Sequence, residues 1–489
     1  MDESDSFRRM SKTFRAWKID DPLLLPVAVR DFVDEKHVAT FVLNVVNDEL
    51  DLAKIMACYS SEKGQPPFHP VMMTALLLYA YCRGIYSSRR IAKACHERVD
   101  FMSIVGLDAP DFRTISDFRK RHLGELGELF TQVLQLCDKA GLVKLGHVAL
   151  DGSKIKANAS KHKAMSYGRM EARARELEDE VRKWLAAAEA ADAEEDKHYG
   201  RDKRGDELPD WVADKQKRAE KIRTAKAELE AEAKAAAEAE VKARADAEAK
   251  RQAEGRKKPG KPAAPPSPEP DPKDQKNFTD PESRIMKGKD GFVQAYNGQI
   301  AVDAQAQIIV AQDVTQCAVD KGQLIPLIDA IEANLGRKPE QASADSGYCS
   351  EANLEAMEQR KIDAYVATGR AKHATAEEVD EEAAATTGAA GAGNSTQEAP
   401  ALTRVEAMRE KLKSGGYASP YRLRKQLPEP VFGQIKQARG FRQFLMRGAE
   451  KVRGEWALVC TAHNLLKLAL GRSLSAARKT IEQAGCAPA

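Results

Sequence analysis

Between residues 166 and 274 the chain offers almost nothing that a core could use, and this limits what the rest can fold into. MEARARELEDEVRKWLAAAEAADAEEDKH and KQKRAEKIRTAKAELEAEAKAAAEAEVKARADAEAKRQ are built from Ala, Glu, Lys and Arg, the composition of long solvated helices. One thin apolar stripe, Leu177, Val181 and Trp184, runs along the first. With GRDKRGDELPD between them, the two segments can fold back as an antiparallel hairpin arm, or stay partly disordered because so little apolar surface offsets the entropy of ordering. GRKKPGKPAAPPSPEPDPKD then reads as a Pro-rich tether. A compact sheet must therefore be assembled from segments on either side of the interruption.

Before it, residues 20 to 140 read as helices joined by short turns. FHPVMMTALLLYAYCRG starts at His69-Pro70 and stops at Gly84, SSRRIAKACHERV follows with Ser87 or Ser88 as cap, and one further helix begins after Thr114 or Ser116. His147 to Leu150 is a short buried strand closed by Asp151-Gly152. After the tether, GFVQAYNGQIAVD and AQIIVAQDVT suggest an antiparallel pair, and Leu324, Leu327, Ile328 and Ile331 mark a helix. QASADSGY is a strand ending in Asp345, EANLEAMEQRK a helix and IDAYVATG another strand. Strands, a crossover helix and more strands imply a mixed α/β sheet. AEEVDEEAAATTGAAGAGNSTQEAP is too rich in Gly, Ala and Thr to pack.

The eight cysteines, Cys58, Cys82, Cys95, Cys137, Cys317, Cys349, Cys460 and Cys486, form no CxxC pair, so neither a zinc site nor a disulfide framework is signalled and a reducing cytoplasm fits them. VMMTALLLYAYC falls short of a bilayer span, and the first residues hold no apolar signal segment; no membrane partner is expected. A net charge of +3 over 489 residues names no partner, but its distribution does. Residues 411 to 453 carry eleven Lys or Arg against two acids, Glu429 and Glu450. Such a stretch attracts a polyanion, with salt-dependent affinity from counterion release. Residues 83 to 121 hold nine Lys or Arg against five acids. Two short helices there, the later carrying Arg119, Lys120 and Arg121, suggest a helix-turn-helix-like DNA-binding unit, with a solvated helical face as the alternative.

Asp151 and Asp345 each end an expected strand, and Glu429 is nearly the only acid of the basic stretch. Asp-Gly by itself is more often a turn. Carboxylates at neighbouring strand ends plus one from a helix, however, are what two hard divalent cations need. Asp303, Asp313 and Asp320 read as strand-end or cap residues rather than ligands, and His69, His147 and His463 as packed side chains. Tyr296-Asn297 reads as cross-strand packing and turn.

FHPVMMTALLLYAYCRGIYSSRRI, DFRTISDFRKRH, HVALDGSKIKANAS, YNGQIAVD, SADSGY, EPVFGQIKQARGFRQFLMRG and EWALVCTAHNLLKL, in this order, resemble the DDE transposases of bacterial insertion sequences with an InsH-type helical N-terminal domain. The resemblance implies an α+β chain: a helical N-terminal DNA-binding domain (1–140) and a ribonuclease H-like mixed α/β catalytic domain (141–165, 285–370 and 417–485). A charged, coiled-coil-like helical arm with its tether (166–284) and a low-complexity insertion (371–416) interrupt the latter. It puts the catalytic triad on Asp151, Asp345 and Glu429, holding two Mg²⁺ ions for which Mn²⁺ may substitute. Related transposases set a tyrosine, an arginine and a lysine around the glutamate; Tyr421, Arg424 and Lys436 correspond, with one extra residue between Arg424 and Glu429. DNA contacts are expected from Arg424, Lys436, Arg439, Arg442 and Arg447, and end recognition from Arg119, Lys120 and Arg121.

The implied activity is binding of terminal inverted repeats, metal-dependent end cleavage and strand transfer into target DNA, by a homodimer in the synaptic complex, in the nucleoid-associated cytoplasm. A ribonuclease H-like nuclease without strand transfer, or a DNA-binding protein that has lost catalysis, are the competing readings.

Overall fold

The computed structural model describes residues 14–17, 28–60, 65–199, 210–253, 265–288, 291–369, 402–416 and 419–483. The chain forms two compact units: Met1–Ile155 with Asn297–Leu445 and Glu450–Ala489, and Lys156–Tyr296 with Met446–Ala449.

The first unit opens with helices α1 (Val38–Asp48), α2 (Ala53–Ala57), α3 (Pro70–Cys82), α4 (Ser88–Glu97), α5 (Val99–Val105), α6 (Phe112–Arg121) and α7 (Leu123–Lys139). All thirteen residues of α3 are buried, as an all-apolar helix requires. His69 caps it by accepting from the Val71 amide at 3.3 Å, and Pro70 takes the first position, where its missing N–H costs nothing. The single helix expected after Thr114 is two. The Asp111 carboxylate caps α6 by accepting from Thr114 N at 2.7 Å, and the chain breaks at His122, whose fully buried ring meets the Tyr59 hydroxyl at 3.0 Å.

Eight strands follow: β1 (His147–Lys156), β2 (Ala164–Ser166), β3 (Gln275–Asn277), β4 (Arg284–Gly288), β5 (Gly291–Asp303), β6 (Ile309–Thr315), β7 (Gln341–Ala344) and β8 (Asp363–Val366). The main sheet runs β4-β5-β1-β7-β8, with β6 also on β5. β5 pairs antiparallel with β6 through Asn297↔Thr315, whereas β1·β7 and β7·β8 are parallel. Parallel neighbours need crossovers, supplied by helices α10 (Leu324–Leu335) before β7 and α11 (Glu351–Gln359) before β8. From the long helix Ala449–Gln483, Trp456 is wholly buried and donates its indole N–H to Gln299 O at 3.2 Å.

Most of the expected 371–416 insertion lies outside the described residues. Its last part does not behave as low-complexity chain: Arg404–Gly415 is a helix opened by a Thr403/Glu406 capping box, with Met408 buried, Arg404 on Glu358 at 2.9 Å and Lys411 paired with Asp363. Local capping and one apolar anchor make this segment part of the fold.

In the second unit α8 (Tyr167–Tyr199) and α9 (Asp210–Ala253) form the hairpin arm. Their direction is antiparallel, since Tyr167 bonds Glu230, Glu178 pairs with Arg223 and Glu180 with Lys215. Between the two expectations, packing decides for the hairpin: Met170, Ala174 and Leu177 close on Ala219, Ile222, Ala225 and Leu229, flanked by Met165, Tyr167 and Phe278. Alanines let the helices approach closely, so a few large side chains suffice. Of the thin stripe, Leu177 is buried and Val181 half-buried, while the Trp184 side chain lies outside the described residues. Below the hairpin β2 pairs antiparallel with β3, and buried Lys276 meets Glu228 at 2.6 Å and Glu232 at 2.9 Å.

Leu177→Asp should open this hairpin alone, because a carboxylate among the six other buried apolar side chains of this core has no partner. Hydrogen exchange is expected to speed up in α8 and α9 while amides of β1 and β7 keep their protection; equal loss in both would contradict a local core.

Candidate active site

The parallel register of β1 and β7 builds the site. His147 faces Gln341 and Ala149 faces Ser343; two residues further on come Asp151, still within β1, and Asp345, just past the end of β7, close enough for the Asp345 charge to act on Asp151. Asp151 Oδ1 accepts from its neighbour Gly152 N at 2.9 Å, and Asp345 Oδ1 from Gly347 N at 2.9 Å. Arg424 reaches Asp345 Oδ2 with Nη2 at 3.5 Å, while its Nε is buried without a partner. Burial pushes the Asp151 carboxyl up to about 6, Arg424 and the Gly152 amide pull it back, and Asp345 and Asp320 push it further. Arg424, expected among the DNA contacts, is thus turned into the carboxylate centre.

Asp320 was expected to be a cap and makes no side-chain cap bond. Its Oδ1 accepts from Asn297 Nδ2 at 2.6 Å and Gln299 Nε2 at 2.7 Å, and its Oδ2 lies 3.4 Å from Lys154 Nζ. Tyr348 is fully buried and donates its hydroxyl to Gln299 Oε1. Burial, then the charges of Asp320, Asp151 and Asp345, push that phenol far above its ordinary value. Sequence reasoning missed Asp320, Asn297, Gln299, Tyr348 and Lys154. One signal was available: Asn297 and Gln299 are polar at a two-residue spacing inside an otherwise buried apolar strand.

Glu429 is exposed in the first turn of the helix Pro428–Gly433, with Pro428 at its first position. The chain continues as a π-helical turn, Gln434–Ala438, which carries Lys436 onto Ser153 Oγ and, at 3.1 Å, onto Lys154 O. Lys436 is therefore tied to β1 two residues beyond Asp151. Among the described residues Asp151, Asp345 and Glu429 do not bring ligand atoms within 4.8 Å of one another; Cys58, His122 and Glu125 do.

The expected DNA-facing basic residues divide in two. Lys120, Arg121, Arg442 and Arg447 are exposed. Arg119 is not: it is buried, donating to Tyr86 O at 2.7 Å, Ser88 Oγ at 3.2 Å and the Tyr81 hydroxyl at 3.3 Å, so it ties α6 to α3 and the start of α4. Arg439 also points inward, donating to Gln434 O at 3.3 Å and His463 Nδ1 at 3.2 Å, with Nη1 buried and unpartnered. Both stand on faces that tertiary packing covers. The three histidines are packed: besides His69, His147 meets Ser343 Oγ at 2.9 Å, and His463 donates to Gln307 O at 2.9 Å, burial holding it down at about 3.

The centre fits a divalent cation. Three carboxylates, Asp151, Asp345 and Asp320, face two cations, Arg424 at Asp345 and Lys154 at Asp320, and the buried Asn297 Oδ1 has no hydrogen-bond donor. Contrary to the expectation from the sequence, Asp151 does not end its strand, because β1 continues to Lys156; the sheet instead carries one aspartate within β1 and another just beyond the end of β7.

Comparison with known families makes this particular. Residues 27–121 match the model described as Transposase domain (DUF772), and residues 387–469 match the Transposase DDE domain, which includes Arg424, Glu429 and Lys436. No curated protein and no solved structure matches. Both matches are to transposase domains; they support a DDE-type insertion-sequence transposase, and the DDE domain implies a ribonuclease H-like fold for the mixed sheet. Divalent-metal dependence and DNA as partner come with the family.

A carboxyl raised to about 6 in the folded state, from an ordinary value of 3.8, stabilises the protein fully below its unfolded value, and that stability is lost as pH rises through its folded one. Metal-free Asp151→Asn should therefore melt above wild type at about pH 7.5, with the gap closing towards about pH 4. Mn²⁺ should raise the melting temperature of wild type more than that of the variant. A wild type that melts higher than Asp151→Asn at neutral pH without metal would refute the assignment of burial as the dominant influence.

Proposed function

We propose that this transposase binds the terminal inverted repeats of its own element, cleaves at the ends and joins the freed 3′ hydroxyls to target DNA, with Asp151, Asp345 and Glu429 as its catalytic carboxylates. The observation that carries the reading is that parallel pairing of β1 and β7 brings Asp151, within β1, near Asp345, just past β7, with the partly buried Arg424 acting on both. Two Mg²⁺ ions, with Mn²⁺ as substitute, would activate the attacking oxygen and stabilise the leaving one. Asp151 and Asp345 hold the charge that binds them. Glu429 joins from a helix tied to β1 through Lys436, so DNA lying along that helix can bring the third carboxylate to the other two. Arg442, Arg447, Lys120 and Arg121 are exposed for phosphate, the last two on the helix assigned to end recognition. Joining two ends in concert calls for two copies in the synaptic complex. Among the described residues no helix is long and apolar enough to cross a membrane; action at the nucleoid, in the cytoplasm, is part of the proposal.

Asp151→Asn, Asp345→Asn and Glu429→Gln should each lower Mg²⁺-dependent nicking and strand transfer by roughly a thousandfold or more, while end-DNA binding in the absence of metal persists. Glu332→Gln, on a surface ion pair with Lys338, serves as control. Labelled end DNA scored separately for binding, nicking and joining decides the matter. Nicking without joining in wild type would favour the plain nuclease, and near wild-type cutting by Asp151→Asn would overturn the site.

Lys120→Ala with Arg121→Ala should weaken discrimination of terminal-repeat from random DNA and leave the melting temperature unchanged. Arg119→Ala should instead cost on the order of 2–4 kcal/mol of stability, since it strips three internal acceptors of their donor. Thermal melts beside binding titrations separate the two effects; an Arg119→Ala protein of full stability that has lost only DNA discrimination would return Arg119 to the DNA-facing set.

A further inference from the structure

Asp320 lies outside the family's expected triad, yet the backbone beside Asp151 is shaped around it. A Cβ placed on Gly152, the residue after Asp151, would lie 2.2 Å from Gln299 Nε2, 2.7 Å from Asp320 Oδ1 and 3.0 Å from Asn297 Oδ1. One placed on Gly347, two residues after Asp345, would lie 3.4 Å from Asp320 Oδ2 and 3.0 Å from Asp345 Oδ1. The Asp320 carboxylate and the Gln299 carboxamide bound to it thus occupy space that exists because Gly152 lacks a side chain, while Gly347 lies in ordinary contact with Asp320. The carboxylate is held there on one oxygen by two carboxamides, Asn297 and Gln299, and Gln299 is fixed in turn by the Tyr348 hydroxyl. Its other oxygen has only Lys154, at the long distance of 3.4 Å.

We propose that Asp320 is a positioning residue of the carboxylate centre: packed against Gly152 and held by Asn297 and Gln299, it fixes the backbone beside Asp151 and adds a negative charge that raises the centre's affinity for a divalent cation. Carboxamides at hydrogen-bond distance orient a carboxylate without cancelling its charge, whereas the Lys154 ammonium does cancel part of it. Asp320 and Lys154 therefore act on the same cation affinity with opposite sign. A residue that merely braced the loop would have no such counterpart. The inference rests on the reading of Asp151 and Asp345 as metal ligands.

The test is Mn²⁺ binding to the full-length, DNA-free protein, followed by calorimetry and by the loss of free-Mn²⁺ electron paramagnetic resonance signal. Asp320→Asn keeps the shape, and its remaining carbonyl oxygen can still accept from both carboxamides. Its affinity for Mn²⁺ should fall roughly tenfold, with the metal-free melting temperature and end-DNA binding retained. In nicking assays the loss should appear as a higher Mn²⁺ requirement that excess metal overcomes, not as a lower maximal rate. Lys154→Met tests the same charge balance without touching Asp320 and should tighten Mn²⁺ severalfold; it carries the test alone should Asp320→Asn not fold. Wild-type Mn²⁺ affinity in Asp320→Asn, or weakening in both variants, overturns the proposal. Asp151→Asn separates the layers: undiminished Mn²⁺ binding there sinks the metal-site reading and this inference together, whereas weakened binding there beside an unaffected Asp320→Asn sinks the inference alone.

Discussion

Two carboxylates brought close together by a partly buried sheet repel each other, and much of the first unit is arranged around that repulsion. Parallel pairing of β1 and β7 sets the spacing, because neighbouring strands lie about 4.8 Å apart. Arg424 approaches from a short helix and offsets part of the charge, while Asp320 adds to it from beneath. Burial is the main reason the Asp151 carboxyl is raised, with Arg424 and the Gly152 amide pulling it down and Asp345 and Asp320 adding smaller upward pushes.

The surroundings follow from keeping that pair in place. β1 has neighbours on both sides, β7 is backed by β8, and Trp456 spans from the C-terminal helix to β5. Lys436 fastens the glutamate-bearing helix to β1 at Ser153 and Lys154, so the helix is anchored although Glu429 itself is exposed. A π-helical turn at Gln434–Ala438 sets the direction of Lys436, in keeping with the frequent placement of such turns at functional sites. The charged arm, by contrast, contributes its own small core and ion pairs and has no share in the carboxylate geometry.

Much of this was legible from residue patterns. Asp151 after a short apolar run, Asp345 before Ser-Gly and the acid-poor basic stretch around Glu429 name the candidate centre, and the Ala/Glu/Lys/Arg segments name the arm. What patterns could not separate were residues of like chemistry with opposite fates. Arg119 and Lys120 are sequence neighbours; α6 turns one onto Tyr81 and Tyr86 and the other to solvent. Arg439 and Arg442 differ in the same way, three positions apart. Only the partner element fixes which face is covered, since charge counts are blind to rotation about a helix axis.

Local chemistry within the sequence by itself determined the elements: caps at His69 and Asp111, an apolar α3, apolar strand segments leading into acids and a solvated arm. Such choices depend on neighbours within a turn or a strand, which the chain order states directly. Tertiary structure alone decided that Asp320 belongs at the centre, because its partners Lys154, Asn297 and Gln299 come from two strands more than a hundred residues apart in the chain, and β6 intervenes between the nearer of these strands and Asp320. It decided too that Arg424 faces Asp345 and that Asp151 holds its proton more tightly than an ordinary carboxyl. Burial and the distances between charges set those properties, and neither exists until the strands pair.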